Sequence, residues 1–309
     1  MIPSLSILFN NNAAAIATTT TTVLYSAWFC PFAQRAWCAL NELGVSYHLI
    51  ESLQVHPETH AYIKDEGLLQ ANPKGLVPTL VVKPQDDDNQ DSITICDSME
   101  ILKELYCARA QQPQPQQQSS SVTSIDTSST SGDPLLKLQY LYQEAMDWNQ
   151  EICSTAFYSV LMKQDAPERE EAWKELAKGL VAFSEQLQYT SSGSSNENVN
   201  HHNRAISFYT SDFASGKEPS MVDFCVFPFM HRLYIIEHYK GLTLSTSDEQ
   251  CAAHGKLEAW RRQMEALPSV QATLADPTKL IPIYERYADG TAKSKVGDSI
   301  RQGSNVHDV

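Results

Sequence analysis

The residue with the clearest chemical potential is Cys30, in the stretch Ser26-Ala27-Trp28-Phe29-Cys30-Pro31-Phe32-Ala33-Gln34-Arg35. Val23, Leu24 and Tyr25 before it are β-prone. Ala36, Trp37, Leu40 and Leu43 after it give one apolar helical face that ends at Gly44. Proline is well suited to a first helical position, because the N–H it lacks has no partner there in any case. The free N–H groups and positive dipole end of such a helix face the cysteine sulfur and favour thiolate over thiol. The expectation is therefore a nucleophilic sulfur titrating below an ordinary thiol. Arg35 adds positive charge about a turn further in. Three positions after Cys30, where a dithiol oxidoreductase carries its resolving cysteine, this chain has Ala33. A mixed disulfide on Cys30 must then be resolved by an outside thiol. Cys38 reads as core.

Two further stretches offer polar backbone. In Asn72-Pro73-Lys74-Gly75-Leu76-Val77-Pro78-Thr79-Leu80 a proline precedes a strand and follows a glycine turn. Val77–Pro78 is thus a candidate cis bond that frees the Val77 N–H and C=O for an extended peptide ligand. Asp97-Ser98 stands at a predicted helix start. It caps that helix, and its carboxylate, hydroxyl and nearby N–H groups suit an amino acid head group.

The elements that would hold these residues form a small α/β layer. Strands are predicted at Val23–Tyr25, Val45–Ile50, Thr79–Val82 and Ile93–Ile95, and a helix at Asp97–Tyr106. A short helix is expected within Pro57–Leu69, and a polar loop over Pro84–Asp91. Gln111–Ser131 is nearly all Gln, Ser, Thr and Pro, with too little apolar surface to offset its ordering entropy. From Asp133 onward the pattern is helical, including Glu168–Leu187, Met221–His238, Lys256–Ala266 and Ser269–Leu274. Thr190–Asn203 reads as a polar insertion. Its adjacent His201 and His202 do not share a helix face, and no metal site is expected. The predicted division is a disordered tail over 1–22, an α/β domain over 23–108, a linker over 109–133, an all-helical domain over 134–289 and a polar, frayed tail over 290–309.

Composition narrows the function. A formal net charge of −14 is unfavourable toward nucleic acid and anionic membranes, and no apolar run is long enough for a bilayer span. Seven cysteines without a Cys-x-x-Cys pair argue against a disulfide framework or structural zinc and fit a reducing compartment. The expected location is cytoplasmic.

The three stretches, in this order, resemble the thioredoxin-like N-terminal domain of soluble glutathione transferases. Cys-Pro-Phe-Ala-Gln-Arg resembles the omega class, whose active residue is cysteine. Ser220-Met221-Val222-Asp223-Phe224 is similar to the family's helix-capping box. Phe227-Pro228-Phe229-Met230-His231-Arg232-Leu233 and Leu257-Glu258-Ala259-Trp260 are similar to omega-class helices. The resemblance implies a thioredoxin-like α/β domain followed by an all-α domain, glutathione as co-substrate and a homodimer. It implies Cys30 as the catalytic residue, Leu76 and Val77 along the glutathione backbone, and Phe29, Pro31 and Pro78 as further glutathione-binding residues. Asp97 and Ser98 would hold the γ-glutamyl group, with Asp97 shorter than the family's usual Glu. The contact to the glycine end falls to His56, where the family has lysine, or to Lys64. Arg232 and Trp260 are implied in the second-substrate pocket. The implied activity is glutathione-dependent thiol transfer or dehydroascorbate reduction, on a small electrophilic or oxidised substrate. The alternatives are removal of glutathione from glutathionyl-hydroquinones, whose enzymes favour Trp where this chain has Phe32, and a non-enzymatic binding or regulatory protein.

Overall fold

A computed structural model of the chain describes residues 5–9, 20–56, 58, 61–84, 92–112, 133–189, 206–212, 214–244, 247–304 and 306. The expected insertion with His201 and His202, the bulk of the Gln/Ser-rich linker and nearly all of the loop before Ser92 lie outside the described residues.

Four strands form one mixed sheet in the order β2 (His48–Glu51), β1 (Thr20–Ser26), β5 (Thr79–Pro84), β6 (Ile93–Ile95). β1 runs parallel to β2 and antiparallel to β5, placing Leu24 beside Leu80 in the core. Helix α1 (Pro31–Glu42) follows β1 directly, and Gly44 ends it with a left-handed φ of 67°, a conformation open to glycine without steric cost. Ala33, Ala36, Ala39 and Leu40 are its buried face.

The connection expected to hold a short helix within Pro57–Leu69 holds one from Glu66, and a two-stranded hairpin before it that the sequence does not suggest. β3 (Leu53–Val55) and β4 (Tyr62–Lys64) pair antiparallel, and only then does α2 (Glu66–Ala71) start, capped by Asp65. Alternation from Leu53 to Val55 and from Tyr62 to Lys64 is the strand period, which the intervening polar residues obscure. α3 (Ser98–Ala110) closes this layer.

The rest is helical: α4 (Pro134–Glu151), α5 (Ser154–Met162), α6 (Ala166–Glu185), α7 (Met221–Met230), α8 (Leu233–Lys240), α9 (Asp248–Glu265), α10 (Pro268–Gln271), α11 (Pro277–Ala288) and α12 (Lys295–Gln302). Ser220 and Asp223 form a reciprocal capping box at α7. The stretch expected as one helix over Met221–His238 breaks at His231-Arg232, where the Arg232 N–H turns to the Phe229 carbonyl. The α/β layer meets the helices through α1 against α7 and α3 against α4. No helix among the described residues is long and apolar enough to cross a membrane.

Both ends depart from the expected tails. Leu5–Phe9 forms a 3-10 turn whose Leu5 and Phe9 are buried beside α3, with the Arg109 guanidinium 5.9 Å from the Phe9 ring centre. β1 begins three residues earlier than the strand read at Val23. The stretch after Asp289 is the capped helix α12, packed on α5. Its polar composition hides one apolar edge, Val296 and Ile300.

Candidate active site

β1 ends where α1 begins, and Cys30 is the residue between them. It caps α1 through its backbone, with no side-chain cap bond, so the sulfur is free for other contacts. Its Sγ donates to the Val77 carbonyl at 3.9 Å, a loose contact typical of sulfur. The Val77–Pro78 bond is cis. Leu76 is fixed by its carbonyl, which accepts from Thr79 Oγ1 at 2.8 Å and from Asn72 Nδ2 at 3.3 Å. Asp97 Oδ1 accepts the Met99 and Glu100 N–H groups at 2.8 and 3.0 Å, which satisfies two of the open donors of α3. Ser98 is buried, and its Oγ accepts from Arg35 Nη1 at 3.4 Å.

These parts share one cavity of about 450 Å³. Phe29, Cys30, Pro31, Lys64, Leu76, Val77, Pro78, Asp97 and Ser98 all line it. Lys64 lies across Gly75, whose left-handed φ of 60° and lack of a side chain make room for it, and Lys64 Nζ donates to the Lys74 carbonyl at 3.0 Å. His56 does not line the cavity; its ring Nδ1 accepts the Glu58 N–H in the turn between β3 and β4. Of the two alternatives for a carboxylate contact, the structure brings Lys64 to the cavity and leaves His56 outside.

Two other expected pocket residues are also elsewhere. Trp260 is fully buried in α9, donating its indole N–H to Asp223 Oδ1 at 2.8 Å and packing edge-on to Phe183. A buried carboxylate with that donor, and with the Tyr209 and Ser220 N–H groups, fastens the capping box of α7 to the core. Arg232 is 1% exposed. It donates to the Phe29 and Pro228 carbonyls and to Gln34 Oε1, bracing the strand–helix junction from behind. Neither residue lines the cavity.

The charge state of Cys30 also departs from expectation. Burial pushes its thiol up from the ordinary value, while the Ala33 and Phe32 N–H groups and the charges of Arg232 and Arg35 pull it down without prevailing. The helix start acts in the predicted direction, and desolvation outweighs it.

The opposite side of the cavity is aromatic. Tyr62, Tyr158, Tyr284 and Tyr287 line it from β4, α5 and α11. Tyr284 O–H reaches the Phe29 carbonyl at 3.5 Å, and Tyr287 O–H donates to Ser294 Oγ at 2.9 Å. Burial holds Tyr284 up at about 12, and Tyr158 and Tyr287 are raised as well. All three are hydroxyl donors at neutral pH. The sequence reading missed them. The local signal was the i, i+3 pair of Tyr284 and Tyr287 in a stretch opened by Asp276-Pro277, which marks a helix with one aromatic face.

The site can therefore present a sulfur nucleophile, a backbone edge, a helix start with a carboxylate beside it, and a cation. Known proteins agree with this construction. The glutathione S-transferase N-terminal domain family matches residues 29–107, and its C-terminal domain family matches residues 166–263. Glutathione S-transferase omega-1 of Sus scrofa is 24% identical over 272 residues, 88% of either chain. Among solved structures, glutathione transferase omega 3C of Trametes versicolor superposes with a TM-score of 0.57 at 23% identity, over 88% of this chain and 92% of that one. A rice glutathione transferase solved in complex with glutathione gives 0.58 at 19% identity, over 88% and 98%. With both of its domains matched in order and the cysteine at the head of α1, this chain belongs to the glutathione S-transferase family, and an omega-class member is among the proteins it is similar to.

Proposed function

We propose that the chain binds glutathione along the backbone side of the cavity and uses Cys30 for glutathione-dependent thiol transfer and reduction, with dehydroascorbate among its substrates. The observation that carries this reading is Cys30 Sγ facing the Val77 carbonyl at the head of α1, in one cavity with Asp97, Ser98 and Lys64. Glutathione has a carboxylate at each end and an ammonium at one. The start of α3 and the Ser98 hydroxyl suit the γ-glutamyl carboxylate. Asp97 has an oxygen beyond the Oδ1 that caps α3, and this suits the ammonium. Lys64 suits the glycine carboxylate.

Cys30 loses its proton and attacks the glutathione sulfur of a mixed disulfide. The S–S bond breaks, the other thiolate leaves and takes up a proton, and Cys30 is left disulfide-bonded to glutathione. A second glutathione thiolate then attacks that sulfur, giving glutathione disulfide and free Cys30. Ala33 leaves no cysteine at the resolving position, which is why the second thiol must come from outside.

Cys30→Ser tests the reading. Mixed-disulfide reduction and dehydroascorbate reduction should each fall by about 10³-fold or more, because a hydroxyl cannot form the intermediate. Full activity in Cys30→Ser would refute the reading and move the search to another thiol.

The tyrosine-lined side of the cavity favours a second reading for the same thiol, removal of glutathione from glutathionyl-hydroquinones. A protonated Tyr284 or Tyr158 would then donate to the ring oxygen. Faster turnover of a glutathionyl-hydroquinone than of any mixed disulfide would select it.

A further inference from the structure

The segment after α11 is a built wall of the cavity. Gly290 accepts from Arg301 Nη1 at 3.0 Å, Ala292 N–H bonds back to the Arg286 carbonyl at 2.8 Å, and Ser294 both caps α12 and receives the Tyr287 hydroxyl. Beyond α12, the Val306 N–H reaches Thr155 Oγ1 on α5 at 3.2 Å. Held at these points, the segment brings Lys293 and Lys295 to the cavity that contains Cys30 and Lys64.

The charges there do not cancel internally. Asp97 spends Oδ1 on the start of α3. Asp298 is paired to Arg301 at 2.5 Å. Among the described residues, no ion pair joins Lys64, Lys293 or Lys295 to a carboxylate. The Lys64 ammonium is held below its ordinary range, first by burial and then by the charge of Lys295, so like charge gathers at this cavity. Three lysines lining one cavity, among the described residues, stand out in a chain with a net charge of −14. Such a cluster, backed by low-dielectric tyrosine rings, concentrates a field that attracts anions. Glutathione would bring one carboxylate to this end, which accounts for one cation and leaves two.

We propose that Lys293 and Lys295 select second substrates carrying negative charge, such as a carboxylate on the group that leaves from sulfur. This rests on the glutathione reading of the cavity, because it assigns Lys64 to glutathione and the C-terminal lysines to the group beyond the sulfur.

The test uses two glutathione mixed disulfides of nearly equal size, one with mercaptoethanol and one with mercaptoacetate. They differ in a single charge on the leaving thiol. In the full-length K293Q/K295Q variant, kcat/KM for the mercaptoacetate disulfide should fall about tenfold relative to that for the mercaptoethanol disulfide. In the unaltered protein the same ratio should fall as salt is raised from about 0.05 to 0.5 M, since screening weakens attraction at exposed lysines. An unchanged ratio in the variant, or an equal loss on both substrates, overturns the selection by Lys293 and Lys295 and leaves the glutathione reading standing. Failure of the unaltered protein to reduce either disulfide overturns the glutathione reading, and this inference with it.

Discussion

The cavity has two sides built from different material. The side at β1, α1, the Val77 loop and α3 offers mostly backbone: the Phe32 and Ala33 N–H groups at the start of α1, the Val77 carbonyl and the Ser98 N–H at the head of α3. The side at β4, α5, α11 and the segment that leads into α12 offers side chains: four tyrosines and three lysines, Lys64 among them. A backbone surface keeps its hydrogen-bonding pattern whatever the neighbouring residues, provided the turn and cap residues survive. A side-chain surface changes with each substitution. One side is thus suited to a constant co-substrate and the other to a variable partner.

The largest expected effect marks where the side-chain surface stops. Trp260→Ala should destabilise the fold by about 3–5 kcal/mol, as removal of a fully buried indole does, and it also strands the buried Asp223 carboxylate without one of its donors. Thermal or urea unfolding would measure this. If stability held while KM for the second substrate changed, Trp260 would belong to the cavity after all.

The next effect concerns Cys30, where the two sides meet. A thiol raised above its ordinary pKa is mostly protonated at neutral pH, so its thiolate fraction grows with every increment of pH. Alkylation of Cys30 by iodoacetamide should therefore speed up about tenfold per unit from roughly pH 6 to pH 8. A rate already level below about pH 7 would show that the helix start and the two arginines outweigh burial, which is the balance that the Cys-Pro pattern alone suggests.

That contrast explains what could be read from the sequence. Cys30-Pro31, Gly75 to Pro78 and Asp97-Ser98 were legible because a cap, a turn and a helix start are each made by neighbours in the chain. Their electrostatic balance was not, because Cys30 is buried in a cavity that it shares with tyrosines from β4, α5 and α11. Those tyrosines meet only through packing between elements far apart in sequence. α12 looks like a frayed tail in sequence because it has only two apolar anchors, and its hold comes from Ser294, Tyr287 and Thr155. Trp260 and Arg232 carried the right family pattern, but their hydrogen bonds turn them into the interior.

A smaller effect is expected at Ser98, a hydroxyl that lines the backbone-built side. Its Oγ already accepts from Arg35, which orients the O–H toward another acceptor. Ser98→Ala should weaken glutathione binding by about 1–2 kcal/mol, read by calorimetry. An unchanged dissociation constant would leave Ser98 as only the first residue of α3.

The smallest effect is the sharpest check on the distinction between the two sides. If glutathione is held at Val77 by main-chain N–H and C=O, the isopropyl group contributes little to the contact. Val77 is half-buried and packs at the margin of the core, so Val77→Ala leaves the backbone path and the Pro78 that follows it in place. Glutathione affinity should then change by less than about 0.5 kcal/mol, the range of substitutions that remove no specific interaction. Truncation of an aromatic on the opposite side, such as Tyr284→Ala, should change second-substrate KM by more than that. If Val77→Ala proved the more damaging of the two, the backbone would not be what holds the co-substrate. The division of the cavity into a constant side and a variable side would then fail, even with Cys30 confirmed as the nucleophile.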